Sequence, residues 1–242
     1  MKRIINFSGG LSSGYMTISE YNPDTDYVVF TDTGREHPKT YEFINRFEAE
    51  EKIPIIRLGG KDSFDEYLAR RDYEEIPNMV KRSCTLELKV KVARRWARAN
   101  IGMAYDNLIG FRADETKRVM SNKKRWEKVN QVFPAHAMGI TKAAVQAYWK
   151  SKEYTLEIPS ILGNCTLCFM KGKNNIINIL RHDPSLAAKW IEDETKSSLK
   201  HGYTYLPGIS ISQCLEIAQA PTLFSEVDLE QLNSAYSCAC TT

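Results

Sequence analysis

The sequence predicts an α/β fold built on a parallel sheet, and three observations support this prediction. Short apolar and β-branched runs alternate with helix-like segments over the first third of the chain. Each run ends in glycine or polar residues, as strands do where a loop follows them. The chain has 242 residues, of which 43% are hydrophobic and 26% charged, and this is enough for one sizeable core.

The first elements are predicted from their hydrophobic periods. An apolar run at Ile4, Ile5 and Phe7 predicts a strand, and a polar turn then leads to a helix over residues 13–20. A second strand is predicted over 27–30. The helix after it places four apolar side chains on one face: Tyr41, Phe43, Ile44 and Phe47. A third strand is predicted over 53–58 and ends at two glycines.

The later elements are mainly helical. Residues 84–100 form a basic amphipathic pattern, and 107–111 are predicted as a fourth strand. Residues 116–130 are polar without a clear period and are predicted as a mobile loop. A helix is predicted to begin after Thr141 as its N-cap. Further helices are predicted over 173–182, 184–198, 211–220 and 227–236.

Composition excludes several classes of protein. The net charge of +3 is too small to indicate a nucleic-acid partner by itself. No run approaches the ~18 apolar residues of a membrane span, and the first residues lack a signal-peptide pattern. We therefore expect a cytoplasmic protein with no membrane partner.

The first strand-to-helix turn is a candidate phosphate site. It contains Ser8, Gly9 and Gly10, and glycines there allow a ligand to approach backbone N–H groups at a helix N-terminus. The turn lacks the lysine of a Walker A loop and the spacing of GxGxxG. Its residues alone are equally compatible with a phosphate cradle and with an ordinary tight turn.

Two further strand ends carry polar residues. The second predicted strand ends in the block Asp32, Thr33, Gly34 and Arg35. Asp32 is either a ligand for Mg²⁺ or a ribose hydroxyl, or the cap of the next helix. The Arg35 guanidinium suits phosphate or sulfate. The fourth strand ends similarly, at Gly110 and Arg112, and the carboxyl ends of parallel strands are where ligands bind.

Cysteines and a basic segment leave other chemistry open. Cys165 and Cys168 have C-x₂-C spacing, which alone is a weak metal motif. The basic segment combines an aromatic side chain with the cations Lys117, Arg118, Lys123, Lys124, Arg125 and Lys128. This pattern is compatible with a nucleic-acid channel around Trp126 or with a solvated basic loop.

In order along the chain, the blocks SGGLSSGYM, FTDTGREHPKTYEFI, SCTLELK, GFRADE and GNCTLC resemble the PP-loop superfamily of adenine-nucleotide α-hydrolases. The closest resemblance is to its phosphoadenosine phosphosulfate (PAPS) reductase branch, with its phage-type and DNA-sulfur-modification relatives. It covers roughly residues 3–170. The resemblance implies a HUP-like three-layer fold, with a nucleotide-binding domain at 1–172 and a helical extension at 173–242.

The resemblance also implies roles for particular residues. The positions that match the family loop are Ser8, Gly9, Gly10 and Ser13, whereas Ser12 stands where the family usually has Asp. The residues implied to contact ribose or distal phosphate are Asp32, Thr33, Gly34 and Arg35. Gly110 would close the other side of the nucleotide, and Lys89 and Arg112 would meet the anionic substrate as catalytic residues.

Iron–sulfur members of the family imply a metal site. By that resemblance Cys84 would join Cys165 and Cys168 to hold a 4Fe–4S cluster with one open iron, with zinc or plain thiols as alternatives. The family's nucleophilic cysteine block is missing around Cys238 and Cys240, which we expect to lie in a disordered tail.

The implied function is ATP binding with Mg²⁺, followed by adenylation of a second substrate, release of pyrophosphate and transfer of sulfur. A PAPS or APS reductase that releases sulfite, and a nucleotide-binding module without turnover, are the alternatives. An adenine nucleotide is the expected partner. Nucleic acid, a sulfur-donor protein and a second copy of the chain are further partners that the sequence leaves open.

Overall fold

The computed structural model describes residues 1–123 and 129–221. Its sheet has five parallel strands in the order β3-β2-β1-β4-β5. The strands are β1 (Arg3–Asn6), β2 (Asp26–Asp32), β3 (Ile55–Gly59), β4 (Asp106–Ile109) and β5 (Asn130–Val132). The predicted parallel α/β fold is therefore confirmed.

Helices connect the strands and follow them. Those within the sheet region are α1 (Leu11–Glu20), α2 (Pro38–Glu51), α3 (Ser63–Ala69), α4 (Lys91–Asn100), α5 (Thr116–Lys123), α6 (Pro134–Ala137) and α7 (Lys142–Lys150). The later helices are α8 (Lys173–His182), α9 (Ala188–Ser198) and α10 (Ile211–Gln219). A π-helical segment, Thr85–Val90, leads directly into α4. The predicted helix over 227–236 lies outside the described residues.

Alternation along the strands creates two faces of the sheet. Ile5 and Val28 pack into a core shared with α1, α2 and α7. Their neighbours Ile4 and Val29 pack on the opposite face, where they meet Ala97 of α4. Successive side chains of a strand point to opposite faces, so the near-continuous apolar runs are buried on both sides.

A third core lies beyond the sheet. Phe64 and Leu68 of α3 pack there with Leu167, Trp190 and other buried residues that follow position 160. The helices after 172 thus share a core with a segment that precedes α4. The domain boundary at 172 stays a prediction.

The prediction of a mobile loop over 116–130 is wrong for 116–123, which form α5. This helix begins after a 3₁₀ turn in which the Arg112 N–H donates to Glu115 Oε2 at 3.1 Å. One apolar side chain, Val119, anchors it by packing with Phe111 and Phe133. A single buried residue leaves no hydrophobic period in the sequence. Residues 124–128 lie outside the described part.

Among the described residues, no helix has both the length and the apolar character that a membrane crossing requires.

Candidate functional site

The loop between β1 and α1 leaves the start of α1 open to a ligand. Gly10 is the N-cap of α1, and among the residues that the structure describes no side chain caps the N–H groups of the first turn. The loop is held from within, because Ser13 Oγ donates to the Gly10 carbonyl at 2.9 Å and accepts from the Ser8 N–H at 3.1 Å. Uncapped N–H groups and the positive end of the helix dipole together favour an anion at this position.

Gly9 is required by the approach of α2 to this loop. Its φ is +74°, a conformation that other residues rarely adopt, and a Cβ there would lie 2.7 Å from Thr40 Cγ2. The loop can therefore lie directly against α2 only with glycine at this position.

The end of β4 closes the other side of the loop. A Cβ on Gly110 would lie 3.1 Å from Ser13 Cα, so the residue that follows β4 lies directly against the start of α1. Arg112 reaches across and donates from Nη1 to Ser12 Oγ at 3.0 Å. Ser12, the residue expected at the Asp position of the family loop, is thus held by an arginine that lies just beyond β4.

A cavity of about 510 Å³ opens along this edge, within the size range of small-molecule sites. Its lining includes the predicted residues Ser8, Gly9, Gly10, Ser12, Ser13, Lys89, Gly110 and Arg112. The structure therefore brings together eight candidates that come from three separate segments of the chain.

The charged lining of the cavity is mostly positive. Among the described lining residues, one is a carboxylate, Glu115, and five are basic: Lys89, Arg112, Arg118, Lys142 and Lys150. Glu115 is itself ion-paired with both Arg112 and Arg118. Such a lining favours an anionic ligand over a cationic one.

Lys89 is buried beside the cavity. Its Nζ lies 3.7 Å from a carboxylate oxygen of Glu36, which is buried as well. The π-helical turn carries Lys89 inward from the start of the basic helix. This pairing lets a charged amine be buried at moderate cost.

The four residues 32–35, at the end of β2 and just after it, do not line the cavity. Asp32 Oδ1 accepts hydrogen bonds from the Gly34 N–H at 2.7 Å and from the Tyr41 hydroxyl at 2.8 Å. Burial, together with the Asp32 carboxylate, raises the pKa of Tyr41. A Cβ on Gly34 would lie 2.0 Å from the Lys61 carbonyl oxygen. The block thus forms a tightly packed turn.

Arg35 points toward the third core. Its side chain is 5% exposed and is ion-paired with Asp65 and, at 2.7 Å, with Asp193. The guanidinium carbon also lies 5.0 Å from the centre of the Phe64 ring and 5.4 Å from that of Trp190. Its charge is therefore engaged by two carboxylates, Asp65 and Asp193, that do not line the cavity.

The three cysteines predicted to bind a metal lie at the third core. Cys84, Cys165 and Cys168 all belong to or pack against the third core. The Thr33 hydroxyl, also outside the cavity lining, lies 3.4 Å from Cys165 Sγ. In the part of the chain that the structure describes, no three Cys, His, Asp or Glu side chains are grouped as metal ligands. The described residues therefore give no support for an iron–sulfur cluster or zinc at this place.

The remaining cysteines divide between the core and the tail. Cys214 is fully buried, and burial raises its pKa to about 11, as suits a small apolar side chain. Cys238 and Cys240 lie outside the described residues.

Sequence reasoning missed the wall formed by α7. Five residues of α7 line the cavity: Lys142, Val145, Gln146, Trp149 and Lys150. Lys142, Gln146 and Lys150 follow one another at intervals of four residues. This helical spacing was visible in the sequence. What the sequence does not show is that this side of α7 borders the loop 8–13, where Trp149 Nε1 donates to the Leu11 carbonyl.

Comparisons with known proteins relate the sequence to a family and to a phage protein. The family model described as "Phosphoadenosine phosphosulfate reductase domain" matches residues 2–157. An uncharacterized nin region protein of Escherichia phage lambda is 28% identical over 236 residues, which covers 86% of this chain and 79% of that protein.

Proposed function

The chain belongs to the phosphoadenosine phosphosulfate reductase domain family, and from this premise we propose that its cavity binds an adenine nucleotide and activates it for transfer. The observation that carries the proposal is the joining, in one cavity, of an uncapped helix N-terminus with five basic side chains and one carboxylate. Phosphate groups are the ligands that such a site favours.

We assign the phosphates to the loop 8–13. The N–H groups at the start of α1 would hold one phosphate, and Arg112 would reach the same group from β4. The apolar lining provided by Val145 and Leu156 suits the adenine ring. The nucleotide would then lie across the carboxyl ends of β1 and β4.

The proposed reaction is adenylation with release of pyrophosphate. An oxygen of the acceptor attacks the α-phosphorus of ATP, the bond to the bridging oxygen breaks, and pyrophosphate leaves with the electron pair. Lys89 and Arg112 would stabilise the charge that develops on the phosphoryl oxygens. A sulfur nucleophile would then displace AMP from the adenylated acceptor. Nucleic acid and a sulfur-donor protein are the candidate partners for this step.

Resident magnesium has a poor donor set here. Among the described lining residues, Glu115 is the one carboxylate, and two arginines already hold it. Mg²⁺ binds through one or two carboxylates together with phosphate oxygens. We therefore assign Mg²⁺ to the nucleotide as its counterion rather than to the protein.

Reduction of PAPS is the less favoured reaction. It needs a thiolate that attacks the sulfate sulfur. No described cysteine lines the cavity. The reaction would need a thiol from another part of the chain or from a partner.

Calorimetry and product analysis test the proposal. The protein is titrated with ATP and with PAPS, and pyrophosphate and sulfite are then measured in the presence of Mg²⁺. We expect ATP binding, and about tenfold weaker binding by a Lys142→Ala/Lys150→Ala variant, equivalent to ~1.4 kcal/mol. Pyrophosphate release is expected once the correct acceptor is supplied.

A Lys196→Ala/Lys200→Ala variant is the matched control. It removes two positive charges that are already paired, with Glu192 and Asp72, outside the cavity lining. Its ATP affinity should be unchanged. Release of sulfite from PAPS would show that the activity is reduction and not adenylation. Failure to bind either nucleotide would reject the proposed site.

A further inference from the structure

One buried carboxylate joins two arginines at the wall of the cavity. The Glu115 side chain is 4% exposed and is ion-paired with both Arg112 and Arg118. Its Oε2 lies 3.2 Å from Arg112 Nη1, and its Oε1 accepts a hydrogen bond from Arg118 Nη1. All three residues line the cavity, and we call them the Glu115 bridge. Each oxygen of one carboxylate thus holds a different guanidinium.

The bridge is built by a short stretch of chain. Glu115 ends the 3₁₀ turn that begins after Arg112, and its Oε2 also accepts from the Arg112 N–H at 3.1 Å. Arg118 follows in the first turn of α5. Arg112, Glu115 and Arg118 are therefore spaced at intervals of three residues, and side chains three apart on a helical turn are neighbours.

The Arg118 guanidinium is also held by an aromatic ring. Its central carbon lies 4.3 Å from the centre of the Phe111 ring, and Phe111 stacks on Phe133 with ring centres 5.5 Å apart. The Arg118 side chain is 20% exposed and lines the cavity, so a ligand there can reach it. A guanidinium has five N–H donors and can pair with a carboxylate and a phosphate at the same time.

A carboxylate is an unexpected member of a cavity that favours anions. Glu115 is the one acidic side chain among the described lining residues, and its charge lowers the positive potential there. Its geometry accounts for its presence, because it fixes the positions of two cations at once. Cations that are already ordered lose little conformational entropy when they bind a ligand.

We propose that Glu115 is a positioning residue that aims Arg112 and Arg118 at the phosphates of the nucleotide, with Arg118 as a second arginine of the phosphate site. The inference deepens the proposed function and rests on it for the identity of the ligand. Two planar guanidinium groups that meet at one carboxylate suit the oxygens of neighbouring phosphates. The bridge therefore favours a nucleoside di- or triphosphate over a monophosphate.

Glu115→Gln separates positioning from charge, because the two effects have opposite signs. The substitution removes a negative charge from the lining, which by itself would tighten ATP binding. The amide has one acceptor oxygen for one guanidinium, while its NH₂ group faces the other. We expect about fivefold weaker ATP binding by calorimetry, since one charge-assisted hydrogen bond to phosphate is weakened. Unchanged or tighter binding would overturn the inference.

A double-mutant cycle with Arg118→Ala tests whether Glu115 acts through this arginine. Arg118→Ala alone should bind ATP about tenfold more weakly, through loss of a charge-assisted bond. In that background Glu115→Gln should cause no further loss, because its oxygen can then face Arg112. A second fivefold loss there would mean that Glu115 does not act through Arg118, and the inference would fall.

Arg118→Lys decides the question if Glu115→Gln does not fold. Lysine keeps the positive charge but lacks the planar fork, so we expect ATP affinity to fall about threefold. Wild-type affinity in this variant would contradict the inference.

Asp26→Asn is the matched control. Asp26 is also a buried carboxylate paired with an arginine, Arg3, but it begins β2, at the opposite edge of the sheet from the cavity. We expect this variant to lose stability, measured as its melting temperature, and to keep wild-type ATP affinity. A loss of affinity equal to that of Glu115→Gln would show a general effect of breaking a buried pair and would refute the positioning role.

Inorganic pyrophosphate separates the inference from the proposed function. If the wild type binds pyrophosphate but not ATP, the proposed function fails, and the inference stands when Glu115→Gln weakens pyrophosphate binding. If ATP binds equally to the wild type and to folded Glu115→Gln, the proposed function stands and the inference fails. Binding of neither ligand would reject both. AMP should bind more weakly than ATP and should be affected less by Arg118→Ala.

Discussion

Arg112, just beyond β4, donates from Nη1 to Ser12 Oγ at 3.0 Å and so ties the end of β4 to the start of α1. The same guanidinium pairs with Asp114 and Glu115. These bonds hold the Arg112 side chain in place before a ligand arrives, so the side chain loses little conformational entropy on binding. Preorganised charge of this kind binds anions efficiently.

We expect Arg112→Ala to weaken ATP binding by ~1.5–3 kcal/mol, the contribution of a hydrogen bond to a charged group. Isothermal titration of the folded variant measures the change. Ser12→Ala is the comparison, because it removes the tether and keeps the charge, and it should cost clearly less. Equal losses of ATP affinity in the two variants would show that binding depends on the hydrogen bond between Arg112 and Ser12 and not on the charge of Arg112.

Gly9→Ala should damage the phosphate loop. Alanine would have to adopt the positive φ of Gly9, and its Cβ would lie 2.7 Å from Thr40 Cγ2, so we expect ~1–3 kcal/mol less stability and weaker ATP binding. Urea denaturation measures the first effect and calorimetry the second.

Gly10→Ala is the matched control for this substitution. Gly10 has φ −106°, and a Cβ there would meet its nearest neighbour, Ser8 Oγ, at an ordinary 3.6 Å. The free energy of unfolding should fall much less than in Gly9→Ala. Similar losses in both variants would mean that the contact with α2 does not select glycine.

The frame of the fold could be predicted from local patterns. The strand at Ile4 and Ile5 and the helix face at Phe43 and Phe47 are buried on the period that their sequence shows. The Thr141 cap is also observed, where its hydroxyl accepts from the Ala144 N–H. Such features depend on neighbours in the chain, so the sequence contains them.

Other features depend on residues that are distant in the chain. Arg35 resembles a phosphate ligand until it is seen beside Asp193, which comes 158 positions later. β5 is a three-residue edge strand that exists because it pairs with β4. Neither partner can be identified from a local pattern.

Arg35→Met should mainly reduce stability. It would leave Asp193 buried without its cationic partner, which we expect to cost ~3 kcal/mol in the free energy of unfolding. Arg57→Met is the control, since Arg57 forms a more exposed pair with Glu48 and should cost at most ~1 kcal/mol. Urea denaturation compares the two variants.

The same Arg35 variant tests the role that the sequence implied for it. Because Arg35 lies outside the cavity lining, the folded Arg35→Met protein should bind ATP with nearly wild-type affinity. A tenfold or larger loss under folding conditions would support the sequence-based role in nucleotide binding.

Glu194 predicts a pH dependence of stability. Its carboxylate is buried in α9 and accepts from the Tyr205 N–H at 2.8 Å and from the Ile211 N–H at 2.6 Å. Burial raises the pKa of Glu194 above its usual value despite these bonds. The folded protein therefore holds this proton more tightly than the unfolded chain does. Its contribution to stability is full below the usual pKa and is lost as pH rises through the folded value.

Glu194→Gln should accordingly flatten the loss of stability as pH rises from about 4 toward neutrality. The variant is expected to be less stable overall, because the amide group can accept only one of the two N–H bonds. The slope of unfolding free energy against pH is therefore the measurement, obtained from urea denaturation at several pH values.

Glu192→Gln on the same helix is a control of opposite sign. Hydrogen bonds from Lys196 and Lys189 lower the pKa of Glu192 to about 2, so its contribution is present above the usual pKa and is lost as pH falls. Removing this carboxylate should change the stability at acid pH and leave the loss of stability toward neutral pH as in the wild type. If Glu194→Gln kept the wild-type slope throughout, burial of this carboxylate would not be the source of the pH dependence.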